Sequence, residues 1–264
     1  MSLNSFLTND RSFEAKTPWG PVGALSMSVG FLLFQAIAAL FFGLLFVFSK
    51  FGIERLRDGL SSGELALLVD PIIISLALSY VFTFGFILLI GKSRGGNLRD
   101  VLLIRKPQNL IANVIFGIVV ISTFFVLLSY VIQTYFPQDN ASSAKQMKEL
   151  FGHILNTDYL WLGVAIVVIG APFVEEVMFR GFLLTSFAQT RLGFWGASVV
   201  TSGLWALIHG YASSMAIGLF IFGLLLSLLV RRTGSIWVSV IMHALWNGVV
   251  TAALLASLTG AVQT

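Results

Sequence analysis

Seven long apolar runs are the feature that most restricts how this chain can fold. A helix needs about 20 apolar residues to cross the hydrocarbon core of a bilayer. The sequence therefore predicts an all-α, polytopic membrane helix bundle of seven transmembrane helices, or eight if the fourth run is two pieces. The runs cover residues 22–49, 65–90, 110–135, 159–190, 192–209, 212–230 and 236–258.

The composition supports a membrane protein. Only 11% of the 264 residues are charged and 57% are hydrophobic, whereas a soluble domain carries about 25% charged residues. The absence of cysteine excludes disulfides, thiolate zinc sites and a cysteine nucleophile. No basic run is interleaved with aromatic residues, so a nucleic-acid partner is not expected. We expect a single integral membrane domain over residues 1–264.

Two polar segments flank or interrupt the apolar runs. Residues 1–20 form a mixed polar N-terminal segment. The first apolar run is long enough to span the membrane and has no small-residue cleavage site behind it, so we expect it to be retained as a transmembrane helix. Residues 136–158 form a polar connector, in which His153 is expected to be a solvated surface residue. A short amphipathic helix on the membrane surface is predicted here, because five residues recur at helical spacing: Gln146, Met147, Leu150, Phe151 and Ile154.

The loop charges predict the orientation. If the N-terminus is cytoplasmic, the inner loops contain the five basic residues of the segment 92–106 together with Arg191, Arg231 and Arg232. The outer loops contain fewer lysines and arginines. Because cytoplasmic loops carry the excess of basic residues, the sequence predicts a cytoplasmic N-terminus.

The fourth apolar run contains three ionisable residues. An ionisable residue within a membrane span costs at least about 2.5–3.5 kcal/mol and usually marks a functional site. Glu176 and Arg180 are four residues apart, so they share a helical face and can form an ion pair. Glu175 is rotated from Glu176 by about 100°. The spacing therefore predicts one structural ion pair and one free carboxylate, which is suited to act as a general base.

The later runs supply further polar groups. His209 ends the fifth run, and Trp205, four residues earlier, is expected to pack beneath its imidazole. His243 lies within the last run, with Asn247 four residues later on the same face. A lone histidine in a helix is more often a packing residue than a catalyst. Two histidines with an asparagine in register predict a polar pocket formed by the C-terminal half of the chain, with core motifs in residues 171–248.

Several chemistries are compatible with such a pocket. Glutamate and histidine together can bind and deprotonate a water, while histidine and asparagine can donate hydrogen bonds to an oxyanion. Zinc-dependent hydrolysis is a rival, although the chain lacks His-Glu-x-x-His and its two histidines lie in different runs. A serine nucleophile is another possibility. Ser202 and Ser239 are not in a Gly-x-Ser-x-Gly setting and are more simply interpreted as helix-packing residues.

These motifs occur in the order Glu175-Glu176-x-x-x-Arg180, Trp205-x-x-x-His209 and His243-x-x-x-Asn247. This order resembles the motifs of the CPBP family, the CAAX protease and bacteriocin-processing intramembrane glutamic endopeptidases, also called the Abi family. The resemblance implies that Glu175 and His209 activate the attacking water. It implies that His243 and Asn247 form the oxyanion site and that Glu176 and Arg180 support it, with no metal or other cofactor. The family usually has Phe where this chain has Trp205.

The resemblance also implies a partner and a location. We expect two kinds of partner, namely membrane lipids and a peptide or protein substrate. Some family members cleave prenylated proteins, and others serve bacteriocin maturation or self-immunity. Many members are bacterial, so we expect a multi-pass protein of a bacterial inner membrane. The alternative is a non-enzymatic immunity or scaffold protein, or a transporter, that uses the same pocket for binding or proton relay. The oligomeric state is not predicted.

The position of Glu175 along its run leads to one further expectation. In a straight helix that begins at Tyr159, Glu175 would lie about 24 Å from the start. His209, at the end of a run that crosses the membrane, would lie near the opposite face. The two residues meet only if the helix breaks, so we expect a break or sharp kink at residues 170–172.

Overall fold

The computed structural model describes residues 17–62, 66–95, 97–107, 109–138, 145, 152, 157–211 and 213–262. These residues form helices and turns, with no strand among them, which confirms the predicted all-α, polytopic bundle. His153 and most of the predicted amphipathic helix of the connector lie outside the described residues, as does the segment 1–16.

Each of the seven apolar runs forms one helix, and a single short helix, α3, lies in the loop between the second and third. Six of these helices, in the described part of the chain, are long and apolar enough to cross a membrane. In chain order the helices are α1 (Pro21–Ser62), α2 (Ala66–Ser93), α3 (Leu98–Val101), α4 (Leu110–Tyr135), α5 (Leu160–Ala188), α6 (Gly193–Ile208), α7 (Ser213–Thr233) and α8 (Trp237–Val262). The apolar part of α1 ends at Lys50, shortly before Gly52, where φ is 72°.

Helix α6 is the exception in length. Its 16 residues correspond to about 24 Å, against the ≈ 30 Å thickness of a hydrocarbon core. It follows α5 after a short turn and ends at Ile208, just before His209. Helix α7 then returns toward the side from which α6 came. Arg231, near the end of α7, contacts the start of α6, since its guanidinium lies 5.1 Å from the rings of Phe194 and Trp195.

The ends of several helices meet at one face of the bundle. Trp19 donates from Nε1 to Ser186 Oγ at 2.6 Å, which joins the start of α1 to the end of α5. Arg105 donates from Nε to the carbonyl of Gly234 at 2.5 Å, which joins the loop after α3 to the α7–α8 turn. The start of α1, the loop 94–109 and the α5–α6 and α7–α8 turns therefore share a face. We call it the basic face, because it contains most of the loop arginines and lysines in the described part of the chain.

We expected a break or sharp kink at residues 170–172, and the break does not occur. Helix α5 continues through this segment, and Gly170 has the dihedral angles of a right-handed helix, φ −64° and ψ −53°. The helix widens instead into π-helical turns at Ile166–Gly170 and Val177–Leu183. A π turn shifts the hydrogen-bond register by one residue, which accommodates the missing N–H of Pro172 without ending the helix.

Glu175 and His209 approach each other because α6 is short. Glu175 lies 13 residues before the end of α5 at Ala188, or about 20 Å from the basic face along the helix. His209 follows a helix of about 24 Å that starts from the same face. The two side chains therefore reach a similar depth, and no break in α5 is needed.

The second half of α5 is the centre of the core. Every residue from 176 to 186 is buried. At Gly181 an added Cβ would lie 2.8 Å from the carbonyl oxygen of Leu102, so only glycine permits this close approach. The buried residues Leu102 and Leu103 thereby pack the loop of the basic face directly against α5.

Candidate active site

Glu176 and Arg180 form a fully buried ion pair in α5. The Arg180 Nη1 atom donates to Glu176 Oε1 at 2.7 Å, and both side chains are 0% exposed. This is the pair that the four-residue spacing predicts. Arg180 also donates from Nη2 to the carbonyl of Gly223 at 3.4 Å, and its guanidinium lies 4.7 Å from the Trp205 ring. The arginine thus connects α5 to α6 and α7.

His243 is a second partner of Glu176. Its Nδ1 atom lies 3.1 Å from Glu176 Oε1, and the imidazole is buried. An ionised carboxylate only accepts hydrogen bonds, so Nδ1 of His243 carries the hydrogen. Sequence reasoning missed this contact, because the two residues lie on different helices and no spacing within one helix indicates it.

Trp205 contacts Glu175 directly. Its indole Nε1 donates to Glu175 Oε2 at 2.7 Å, and its ring lies 4.8 Å from that of His209. The packing against His209 is the contact that helical spacing predicts. The hydrogen bond to Glu175 was missed. The available signal was the indole N–H itself, because a buried tryptophan usually finds an acceptor for it.

His209 is oriented by the main chain of its own helix. Its Nδ1 lies 2.7 Å from the carbonyl oxygen of Trp205. Since a carbonyl only accepts, Nδ1 must donate, and Nε2 of the neutral imidazole retains its lone pair. Nε2 lies 4.0 Å from Glu175 Oε2. Two acceptors at this separation can each receive one hydrogen of a single water about 2.8 Å from both.

Asn247 connects α8 to the π turn of α5. Its Nδ2 donates to the carbonyl oxygen of Val167 at 2.9 Å. The His243 ring lies 5.4 Å from that of Trp205. The predicted residues on α5, α6 and α8 are therefore brought into one cluster, but His243 and Asn247 contact Glu176 and Val167 respectively, not Glu175.

Two tyrosines border the cluster. Tyr211, in the α6–α7 turn, is largely buried, and this burial together with the negative charge of Glu175 raises the pKa of its phenol. Tyr211 therefore keeps its proton at neutral pH. Its ring stacks 6.1 Å from that of His209. Tyr80 of α2 also interacts electrostatically with Glu175.

The site geometry bears on the rival chemistries. Ser202 and Ser239 are fully buried, and Ser239 donates to the carbonyl of Ile236 in its own helix at 2.8 Å. Neither hydroxyl is placed to attack a substrate. Among the residues that the structure describes, no three histidine, aspartate or glutamate side chains are grouped so that they could hold a metal ion.

We expect Gly223→Ala to destabilise the site, because α7 lies directly against the ion pair there. An added Cβ would lie 2.8 Å from Ser202 Cβ and 3.1 Å from Arg180 Nη2. Overpacking of this kind costs about 1–3 kcal/mol. Gly203→Ala on α6 is the matched control, since nothing lies within 4 Å of its added Cβ, and helix propensity alone favours alanine by up to about 1 kcal/mol. Unfolding in detergent compares the two variants, and a Gly223→Ala protein as stable as the control would contradict the close contact.

The fold and the site together define a polytopic membrane protein with a carboxylate–histidine cluster between its helices. A family model described as type II CAAX prenyl endopeptidase Rce1-like matches residues 157–249, about a third of the chain. The matched segment extends from the start of α5 into α8 and contains every residue of the three motifs, so it confirms the family resemblance. The family is one of intramembrane CAAX-type proteases, whose substrates are peptides or proteins. Searches of curated proteins and of solved structures found no match.

Proposed function

We propose that this protein is a metal-independent intramembrane glutamic endopeptidase in which Glu175 and His209 activate a water for attack on a peptide bond. The observation that carries the proposal is the pair of acceptors, Glu175 Oε2 and His209 Nε2, 4.0 Å apart. The match to a CAAX protease family supports peptide hydrolysis as the reaction.

The proposed reaction begins with a water that donates one hydrogen to each acceptor. Glu175 removes a proton as the water oxygen forms a bond to the substrate carbonyl carbon. The carbonyl oxygen becomes an oxyanion and the C–N bond then breaks. The proton held by Glu175 passes to the departing amine, so the carboxylate is regenerated at the end of each cycle.

We place His243 and Asn247 at the oxyanion. Because Nδ1 of His243 donates to Glu176, only Nε2 remains to donate to the substrate, and it can do so only in the imidazolium form. The carboxylate of Glu176 stabilises that cation. Asn247 has two amide hydrogens, so it can donate one to Val167 and the other to the oxyanion.

The substrate is proposed to be a membrane-associated peptide, either CAAX-like or of the bacteriocin type. We also propose a bacterial inner membrane with the basic face in the cytoplasm, because loops that are rich in lysine and arginine stay inside. Comparative proteomics of membranes from wild-type and Glu175→Gln cells tests the function without a known substrate. New peptide termini found only with the wild-type protein are the expected result, and identical termini in both samples would contradict it.

We expect chelators to leave the activity within about twofold of the untreated protein, since the residues described offer no three-ligand cluster and a catalytic zinc uses three protein ligands. The measurement is peptide cleavage by purified protein after treatment with EDTA or 1,10-phenanthroline, followed by addition of zinc. Strong inhibition that zinc reverses would show that a metal takes part.

A further inference from the structure

Trp205 contacts four of the charged or titratable residues of the cluster on α5, α6 and α8. Its indole N–H bonds to Glu175 and its carbonyl oxygen to His209, both at 2.7 Å. Its ring lies 4.7 Å from the Arg180 guanidinium and packs edge-on against His243. The side chain is 1% exposed, so these contacts are made away from solvent.

We propose that Trp205 is a positioning residue, whose indole N–H and main-chain carbonyl together orient Glu175 and His209 toward one water. This inference rests on the proposed function. It assigns to Trp205 a role beyond packing. That role depends on the indole N–H, which phenylalanine, the usual residue at this position in the family that the chain resembles, does not have.

The indole N–H selects one oxygen of the Glu175 carboxylate. A carboxylate on a flexible side chain can present either oxygen to a water. The atom that receives the Trp205 hydrogen bond, Oε2, is the atom that lies 4.0 Å from His209 Nε2. The hydrogen bond therefore holds Oε2 beside the imidazole, while the other lone pair of that oxygen stays available to the water.

The Trp205 carbonyl selects the tautomer of His209. It is available for the imidazole because α6 ends here. The main-chain N–H of His209 bonds to the carbonyl of Ala206, three residues back, and Gly210 leaves the helix with φ 65°. The last carbonyls of a helix lack helical partners. The imidazole takes one of them through Nδ1, which directs the Nε2 lone pair toward Glu175.

The test removes the indole N–H in two ways. Trp205→Phe deletes the donor but keeps an aromatic ring and the main-chain carbonyl. Incorporation of 3-(3-benzothienyl)alanine at position 205 is the sharper change, since sulfur replaces the N–H in a ring of nearly the same shape. Trp195→Phe on the same helix is the matched control, because Trp195 is about half exposed and contacts Arg231 instead of the cluster.

We expect both changes at position 205 to lower kcat by about ten- to a hundredfold, the range expected for losing a hydrogen bond to a charged group, with KM within about threefold. The Trp195→Phe control should match the wild type.

A benzothienyl variant with wild-type kcat would overturn the inference about Trp205, as would a change confined to KM. That outcome leaves the proposed function intact if Glu175→Gln is inactive in the same assay. Full activity of Glu175→Gln would instead overturn the proposed function, whatever the result at position 205. Equal thermal unfolding of the benzothienyl variant and the wild type establishes that the comparison is between folded proteins.

Discussion

Replacing Glu175 by glutamine is expected to abolish peptide hydrolysis while the protein still folds and inserts. The amide is close in shape to the carboxylate but does not accept a proton near neutral pH. Loss of a general base typically costs about 10²–10⁴ in rate. Folding is expected to survive because the side chain is only partly buried and the substitution removes a charge from the membrane. The measurement is kcat of the purified variant on a peptide that the wild type cleaves.

Asp70→Asn provides the matched control for this variant. It makes the same carboxylate-to-amide change in another membrane helix, at a residue that pairs with Lys50 at 3.1 Å and lies outside the site. Activity of Asp70→Asn should equal that of the wild type. If Glu175→Gln cleaved at the wild-type rate, the cluster would be better explained as a site for ligand binding or proton relay.

Arg180→Met is expected to cause the largest loss of stability in the chain. It leaves the Glu176 carboxylate buried, with both side chains of the pair at 0% exposure. Breaking a buried pair by removing one partner costs about 3–5 kcal/mol. His243, which also bonds to Glu176, can offset part of this by holding a second proton. Unfolding of the purified protein in detergent measures the loss.

A double variant separates the charge from the packing. Arg180→Met with Glu176→Gln removes both charges, so we expect it to be more stable than Arg180→Met alone. The exposed pair provides the comparison: Lys50 and Asp70 have side chains 38% and 19% exposed, and Lys50→Met should cost no more than about 1 kcal/mol. An Arg180→Met protein as stable as Lys50→Met would show that the buried charge is not what stabilises this region.

Contacts within one helix could be predicted from the sequence, whereas contacts between helices could not. The spacing of four residues is sufficient to predict that Glu176 meets Arg180 and that Trp205 meets His209, because an α-helix fixes the geometry of such pairs. The contacts of Glu175 with Trp205 and of His243 with Glu176 depend on how α5, α6 and α8 are rotated against each other. That rotation is set by packing, including the close approach at Gly223, which has no signature in any single run.

The expectation of a break in α5 was wrong for a related reason. It assumed that the apolar run 192–209 crosses the whole membrane, because composition alone does not reveal at what depth a helix ends. The short α6 brings His209 to the level of Glu175 instead. The π turns around Pro172 were also not predictable, since they result from a shift in hydrogen-bond register that many sequences can adopt.

The central claim is that Glu175 and His209 act on one water, and a double-mutant kinetic measurement tests it most directly. The kcat values of Glu175→Gln, His209→Ala and the double variant are compared on the same peptide. Residues that act as a unit have strongly non-additive effects, so the account predicts that the double variant is no slower than the slower single variant. Losses that multiply in the double variant would contradict the claim, because they would show that the two residues act independently.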